Sequence, residues 1–302
     1  MGGSRPVGRV PKLVDQKLLM KILITGINGQ VGHALMRELS DHELIGLIRQ
    51  DCDLTNLDQI RQVIDQHLPD LIINPAAYTK VDQAEDEPEL AFKINRDAPK
   101  VIAEKAREYH IPLIHFSTDY VFDGEKKGAY VEDDPTHPLG VYGQSKCAGE
   151  EAIQEVGGLI YIFRTSWVYS NIGHNFFLTM ERLSQERDEL KVVADQFSVP
   201  TSSQFIAEQI KHIIPQLNNN NTDVYHLVPD GSCSWHEFAK EIIGQTNTQF
   251  NLEKLLAIQT HEFPTKTKRP KNSVLNNAKI KQTFNLECNH WQTELEKFIH
   301  EA

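Results

Sequence analysis

The sequence predicts an α/β fold, a doubly wound parallel sheet with a smaller C-terminal α/β domain, on three observations. From Lys21 onward, short apolar runs alternate with helix-compatible stretches, the signal for repeated strand and helix crossovers on a parallel sheet. The first run leads directly into a turn carrying three glycines. After about Trp167 the rhythm loosens, as Pro200, Pro215, Pro229, Pro264 and Pro270 punctuate shorter elements and Asn218 to Asn221 mark a loop tip.

The expected strands are Lys21 to Thr25, Glu43 to Ile48, Leu71 to Asn74, Leu113 to Ser117 and Leu159 to Arg164. Each is short and rich in branched or leucine side chains, as a strand buried on both faces requires. Between them Gln30 to Ser40, Leu57 to His67, Pro88 to Tyr109 and Tyr142 to Val156 have helical spacing, the third also being rich in good helix formers. In the second half, Ser203 to Ile214 and Asp223 to Val228 are expected to return to the first domain. There are no internal repeats.

Composition removes several classes of function. The 302 residues are 40% hydrophobic and 24% charged, which is ordinary for a folded protein and far from the composition of disorder. A formal net charge of -11 argues against a nucleic-acid partner, because such binding rests on Lys and Arg neutralising phosphates. Cys52, Cys147, Cys233 and Cys288 are scattered without a Cys-x-x-Cys pair, and His236-Glu237 lacks a second histidine four residues on. Reduced thiols and no metal site are therefore expected. No apolar run approaches the roughly 18 to 20 residues of a bilayer span, and no signal-peptide core is present, so a cytoplasmic protein without a membrane partner is expected. Residues 1–19 carry Gly2, Gly3, Pro6, Gly8 and Pro11 without periodicity and read as a loose leader or added extension.

The strand Lys21 to Thr25 runs into Gly26-Ile27-Asn28-Gly29-Gln30-Val31-Gly32 and then a helix. The spacing is Gly-x-x-Gly-x-x-Gly rather than Gly-x-Gly-x-x-Gly, but the physics is shared. Glycines let the backbone turn tightly and approach a pyrophosphate, whose charge is held by amides at the helix N-terminus. This makes residues 20–168 a Rossmann-type dinucleotide-binding domain, rejoined by 201–229, and leaves 169–302 mainly as a substrate domain. Beyond the second strand stand Arg49 and Asp53. An arginine there accommodates the extra 2′-phosphate of NADP, whereas an acidic residue serves an adenosine ribose. NADPH is the expected cofactor and NADH an alternative; Asp53 belongs beside the adenine. Arg49 as a plain solvated charge is the competing reading.

Tyr142-Gly143-Gln144-Ser145-Lys146 puts a phenol and an ammonium four residues apart, on one face of a helix. A phenol titrates near 10, so a neighbouring positive charge is expected to lower that value for proton chemistry. A second group comes from Ser117-Thr118-Asp119 at a strand C-terminus, where ligands bind in open α/β sheets. A Ser or Thr hydroxyl there can hydrogen-bond a substrate oxygen and orient it; a simple strand-end turn is the competing reading of Thr118.

With these motifs in hand the sequence resembles the dTDP-4-dehydrorhamnose reductase family of the extended short-chain dehydrogenase/reductases. The resemblance runs from Met20 almost to the C-terminus. It is carried by M-K-I-L-I-T-G-I-N-G-Q-V-G from Met20, A-A-Y-T-K-V-D-Q-A-E from Ala76, S-T-D-Y-V-F-D-G from Ser117 and P-L-G-V-Y-G-Q-S-K-C-A-G-E from Pro138. R-T-S-W-V-Y from Arg164, D-Q-F-S-V-P-T from Asp195 and F-P-T-K-T-K-R-P-K-N-S-V-L from Phe263 follow in order.

The resemblance implies reduction of the C4 keto group of a nucleotide-linked deoxysugar, with Thr118, Tyr142 and Lys146 as the catalytic set. It implies cofactor contacts at Gly26, Gly29, Gln30, Val31, Gly32, Arg49, Asp53, Leu54, Ala76, Ala77, Tyr78 and Asn95, besides Tyr142 and Lys146. Asp119, Tyr120, Trp167 and Asn175 lie in segments that approach the sugar in this family, and Arg269 lies where a cation meets the nucleotide diphosphate. Some family members are described with magnesium at a dimer interface; a homodimer is admitted on that basis, but the magnesium ligands have no assigned positions here. Three positions depart from the family pattern: Pro75 where alanine is usual, Lys80 for a small residue, and Ser198 where glycine is common. Two alternatives stay open, an epimerase or dehydratase of the same superfamily using Asp119 as a base, and a non-catalytic regulatory subunit like that of methionine adenosyltransferase.

Overall fold

The computed structural model describes residues 19–301; the expected leader, apart from Leu19, lies outside the described residues. The first half alternates β1 (Lys21–Thr25), α1 (Gln30–Glu38), β2 (Glu43–Leu47), α2 (Leu57–His67), β3 (Leu71–Asn74), α3 (Val81–Ala84), α4 (Pro88–Phe92), α5 (Ala98–Glu108), β4 (Leu113–Thr118), α6 (Val141–Val156) and β5 (Ile160–Thr165). The second half adds β6 (Val168–Tyr169), α7 (Phe176–Glu186), β7 (Leu190–Val193), β8 (Phe197–Ser198), β9 (Thr201–Ser202), α8 (Ser203–Ile213), β10 (Val224–His226), β11 (Cys233–Ser234), α9 (Trp235–Thr246), β12 (Leu255–Ile258), α10 (Ala278–Phe284) and α11 (Trp291–Glu301).

Six strands form the parallel sheet, in the order β10-β5-β4-β3-β1-β2. Strands β3, β4 and β5 are buried at every position, because helices cover both faces. Leu35 of α1, Phe205, Ile206 and Ile210 of α8 and Ile280 of α10 pack one face. Ile60 and Ile64 of α2, Val101 and Ile102 of α5, and Ile153 of α6 pack the other. The late elements α8 and β10 thus belong to this sheet, α8 lying on α1 and β10 pairing with β5. A separate core gathers Phe177, Val192, Phe238, Ile242, Trp291 and Leu295 around α7, α9 and α11. No helix of the described residues is long and apolar enough to cross a membrane.

Two differences from the sequence expectation bear on function. Strands β4 and β5 run one residue further than expected, since the ladder continues through Ser117 opposite Arg164 and Thr118 opposite Thr165. Thr118 is therefore the last strand residue. The helix expected over Pro88 to Tyr109 is interrupted by a π turn, Lys93–Asp97. Pro99 has no N–H to give the Asn95 carbonyl, and the wider turn accommodates the missing bond. That carbonyl instead abuts α6, where a Cβ on Gly149 would sit 2.1 Å from it.

Candidate active site

The sheet order reverses between β1 and β3, and the crevice beyond strand C-termini at such a point is where ligands bind in this architecture. A cavity of about 860 Å³ opens there. Gly26, Gly29, Gln30, Val31 and Gly32 line one end, and Tyr142 and Lys146 line it further along. Gly26 takes φ +60°, which excludes most side chains. A Cβ on Gly32 would lie 2.3 Å from the Gly26 carbonyl oxygen, so the turn closes only with glycine. No side chain caps α1 and no acidic residue occupies its first turn, which leaves its leading amides available to an anion.

Arg49, Asp53 and Leu54 line the cavity beside β2. Arg49 Nε lies 3.5 Å from Asp53 Oδ2 and the arginine side chain is 71% exposed, so the pair is weak. Asp53 accepts from the Thr55 amide and hydroxyl, and these bonds, with Arg49, hold its carboxyl below the usual range. Pro75, Ala76, Ala77 and Tyr78 form the wall after β3. Asn95 is fully buried and does not line the cavity; it accepts from the Tyr78 amide at 2.8 Å, donates to the Tyr78 carbonyl at 3.0 Å and to Ser145 Oγ at 2.9 Å. The π turn thus ties the cofactor-side wall to α6.

Lys146 is 2% exposed. Its Nζ donates to the Phe116 carbonyl at 2.6 Å and lies 3.3 Å from His115 Nε2. Burial lowers its pKa to about 8, opposed by the charge of Glu150. For Tyr142 the structure reverses the expected direction. Burial drives the phenol upward, Asp119 adds to that, and a hydrogen bond with Thr118 offsets part of it. The lysine nitrogen is turned to the β4 backbone, so it supplies no counterweight to desolvation.

Thr118 Oγ1 donates to Asp119 Oδ1 at 3.1 Å and accepts from the Tyr120 amide at 3.2 Å. Asp119 itself faces inward, receiving the Ser198 hydroxyl at 3.1 Å and the Ser273 hydroxyl. Its pKa rises to about 6 by burial despite these donors. Asn175 is likewise spent inside the protein: Oδ1 caps α7 through the Leu178 amide, and Nδ2 donates to Gln30 Oε1 at 3.0 Å. Tyr120 packs edge-on against Tyr142 with ring centroids 6.0 Å apart. Arg269 stands over the Tyr120 ring at 5.7 Å and pairs with Asp82 at 2.8 Å. Trp167, in the left-handed region at φ +43°, stacks on Trp235 with centroids 3.5 Å apart.

Ser117, singled out with Thr118 in the sequence, belongs to this constellation, as do several residues that sequence reasoning passed over. Ser117 and Thr165 line the cavity, yet their buried hydroxyl oxygens have no protein partner. His115, a polar residue inside the apolar run before Ser117, was a legible signal. Trp235 and Ser273 had none, because only folding brings them to Trp167 and Asp119. Among the described residues no cluster of three or more His, Cys, Asp or Glu is arranged to hold a metal ion.

The chain matches the model of the RmlD substrate binding domain over residues 20–302. It is 41% identical over 295 residues to a dTDP-4-dehydrorhamnose reductase of Escherichia coli, covering 93% of this chain and 98% of the relative. A Burkholderia thailandensis protein of the same name is 39% identical over 285 residues, covering 90% and 96%. A solved dTDP-4-dehydrorhamnose reductase from Bacillus anthracis, in complex with NADP, superposes with a TM-score of 0.89 at 37% identity, covering 94% of this chain and all of that one. A glycine turn and a Tyr-Lys helix on one cavity, with matches along nearly the whole sequence, place this chain in the dTDP-4-dehydrorhamnose reductase family.

Proposed function

We propose that this chain is an NADPH-dependent reductase that converts dTDP-4-dehydro-L-rhamnose to dTDP-L-rhamnose, with NADH as a less favoured donor. The observation that carries this reading is the single cavity joining the glycine turn to Tyr142 and Lys146. The residues present fit a nicotinamide dinucleotide: a backbone cradle that a Cβ on Gly32 would fill, uncapped amides for a pyrophosphate, and two orphaned hydroxyls, Ser117 and Thr165.

The bound reduced nicotinamide supplies the hydride. Gly26, Gly29, Gln30, Val31 and Gly32 would hold the pyrophosphate, Arg49 would meet a 2′-phosphate, and Asp53 and Leu54 would serve the adenine side. Ala76, Ala77 and Tyr78 form the wall that Asn95 braces. Thr118, whose hydroxyl proton goes to Asp119, bonds the Tyr142 phenol and so orients it for the substrate keto oxygen. Tyr142 gives its proton to that oxygen as negative charge develops there, general acid catalysis by a group that burial keeps protonated. Lys146, its nitrogen held at the β4 backbone on the cavity wall, would engage the ribose hydroxyls of the nicotinamide. Tyr120 and Trp167 bound the sugar, and Arg269 serves the diphosphate. Asp119 and Asn175 act through Thr118 and Gln30 rather than by touching sugar. Because Asp119 is engaged by three hydroxyls, it is no free base for a dehydratase. Residues 20–168 with 201–229 form the dinucleotide unit and 169–302 mainly the sugar unit.

The test is NADPH loss on mixing the purified protein with a panel of nucleotide-linked 4-keto-6-deoxysugars. Stoichiometric consumption with the dTDP-linked rhamnose precursor is expected. Substrate conversion without net consumption would replace this reading with the epimerase or dehydratase one, since those enzymes recycle the cofactor.

A further inference from the structure

A buried polar chain crosses three neighbouring strands and stops at Lys146. The Thr25 hydroxyl at the end of β1 donates to Asn74 Oδ1 at the end of β3, 2.6 Å away. Asn74 Nδ2 lies 3.1 Å from His115 Nδ1 on β4, and His115 Nε2 lies 3.3 Å from Lys146 Nζ. Asn74 and His115 are each 1% exposed. The reduction outlined above leaves His115 without a task.

Hydrogen-bond chemistry gives the chain a direction. An amide nitrogen only donates, so His115 Nδ1 accepts from Asn74. Burial and the nearby lysine hold the imidazole well below its ordinary pKa, hence neutral with one N–H. That proton sits on Nε2 and points at Lys146 Nζ. An ammonium has no acceptor, so this arrangement closes only on an uncharged lysine amine. When Lys146 gains a proton, Nε2 must accept. The imidazole proton then resides on Nδ1, and the Asn74 amide turns over, presenting Oδ1 to His115 and Nδ2 to Thr25. Both arrangements keep all three contacts.

We propose that His115 is a positioning residue for Lys146, exchanging its tautomer so that the lysine nitrogen stays in place in both protonation states. The inference rests on the roles given above to Tyr142 and Lys146. The charge that acts on Lys146 from its own helix is that of Glu150. Glu150 is itself closed onto Arg164 of β5 at 2.6 Å, so His115 is the titratable group within reach of the lysine nitrogen.

Nitrogen NMR of histidine-labelled protein tests this without turnover, using His115→Gln to assign the resonance. His115 should remain neutral from about pH 6 to 10, with the proton on Nδ1 at the acid end and on Nε2 at the alkaline end. The exchange should share its midpoint with Lys146, at about 8, and vanish in Lys146→Met. One tautomer throughout, or an exchange that survives in Lys146→Met, overturns the proposal. Kinetics give a second reading. His115→Gln keeps an amide at the Nε2 position, whereas His115→Asn keeps one only at Nδ1. The asparagine variant should lose about ten- to a hundredfold in kcat with the KM for the keto sugar little changed, and the glutamine variant should recover most of it. Equal losses in both at matched melting temperatures would make His115 merely structural. If the wild type reduces no keto sugar, the proposed function fails while the NMR experiment still decides this point.

Discussion

Tyr142 keeps its proton because burial disfavours the phenolate, and a proton held ready is what a reduction needs from its acid. Tyr142→Phe preserves the ring and its edge contact with Tyr120 while deleting that proton. Turnover should fall by roughly two to four orders of magnitude, with NADPH affinity little changed; wild-type turnover would move the acid elsewhere. The pH dependence follows from the neighbouring lysine. Lys146 is charged below about 8 and loses its charge as pH rises through that value, so kcat for reduction should decline there. Lys146→Arg, charged at every accessible pH, should lack that limb in a kcat profile. Arg49 is exposed enough to reorganise, and a guanidinium engages a phosphate bidentately. Arg49→Ala should therefore raise the Kd for NADPH about tenfold or more and leave NADH nearly unaffected; equal changes would end the case for NADPH preference.

The elements that place these residues depend on close backbone approach. The α1 N-terminus reaches the cavity because Gly32 nestles against the Gly26 carbonyl. Gly32→Ala should largely abolish dinucleotide binding in a titration, since its Cβ meets backbone at 2.3 Å and backbone cannot yield cheaply. Retained binding would mean that the turn is not the phosphate cradle. The π turn works similarly. Pro99 releases the Asn95 carbonyl, the missing Cβ of Gly149 leaves room for it, and the Asn95 side chain is left to bracket Tyr78 and Ser145. A regular helix over this stretch would rotate Asn95 away from both.

Over the whole molecule, the sheet and the second core meet around a buried ion pair. Arg164 on β5 engages Glu150 on α6 with both side chains about 5% exposed, and its Nη1 donates to the Glu132 carbonyl. The Glu132 carboxylate in turn accepts the His226 amide of β10. Removing one partner strands a buried charge, which costs about 3 to 5 kcal/mol. Glu150→Ala should lose that much in denaturant unfolding, far more than a surface pair such as Arg182 and Glu186. A loss under about 1 kcal/mol would show the guanidinium finding another partner.

The sequence by itself determined the parallel sheet, the glycine turn and the Tyr-Lys pair, because each is a local pattern: apolar runs of strand length, glycines at a strand-to-helix junction, and a four-residue helical spacing. It also located Thr118 next to a strand end. What it left undetermined depends on contacts between residues far apart in the chain. Asp119 and Asn175 are polar residues in promising segments, yet Ser198, Ser273 and Gln30 consume their hydrogen bonds. The Tyr142 pKa was expected to fall on spacing alone and is instead raised, because spacing says nothing of burial or of where the Lys146 nitrogen points. The return of α8 and β10 to the first domain was expected from the sequence and is observed, whereas only tertiary structure decided that Trp167 lies on Trp235. Desolvation and the choice of hydrogen-bond partner belong to the folded surroundings of a residue, and no local pattern encodes them.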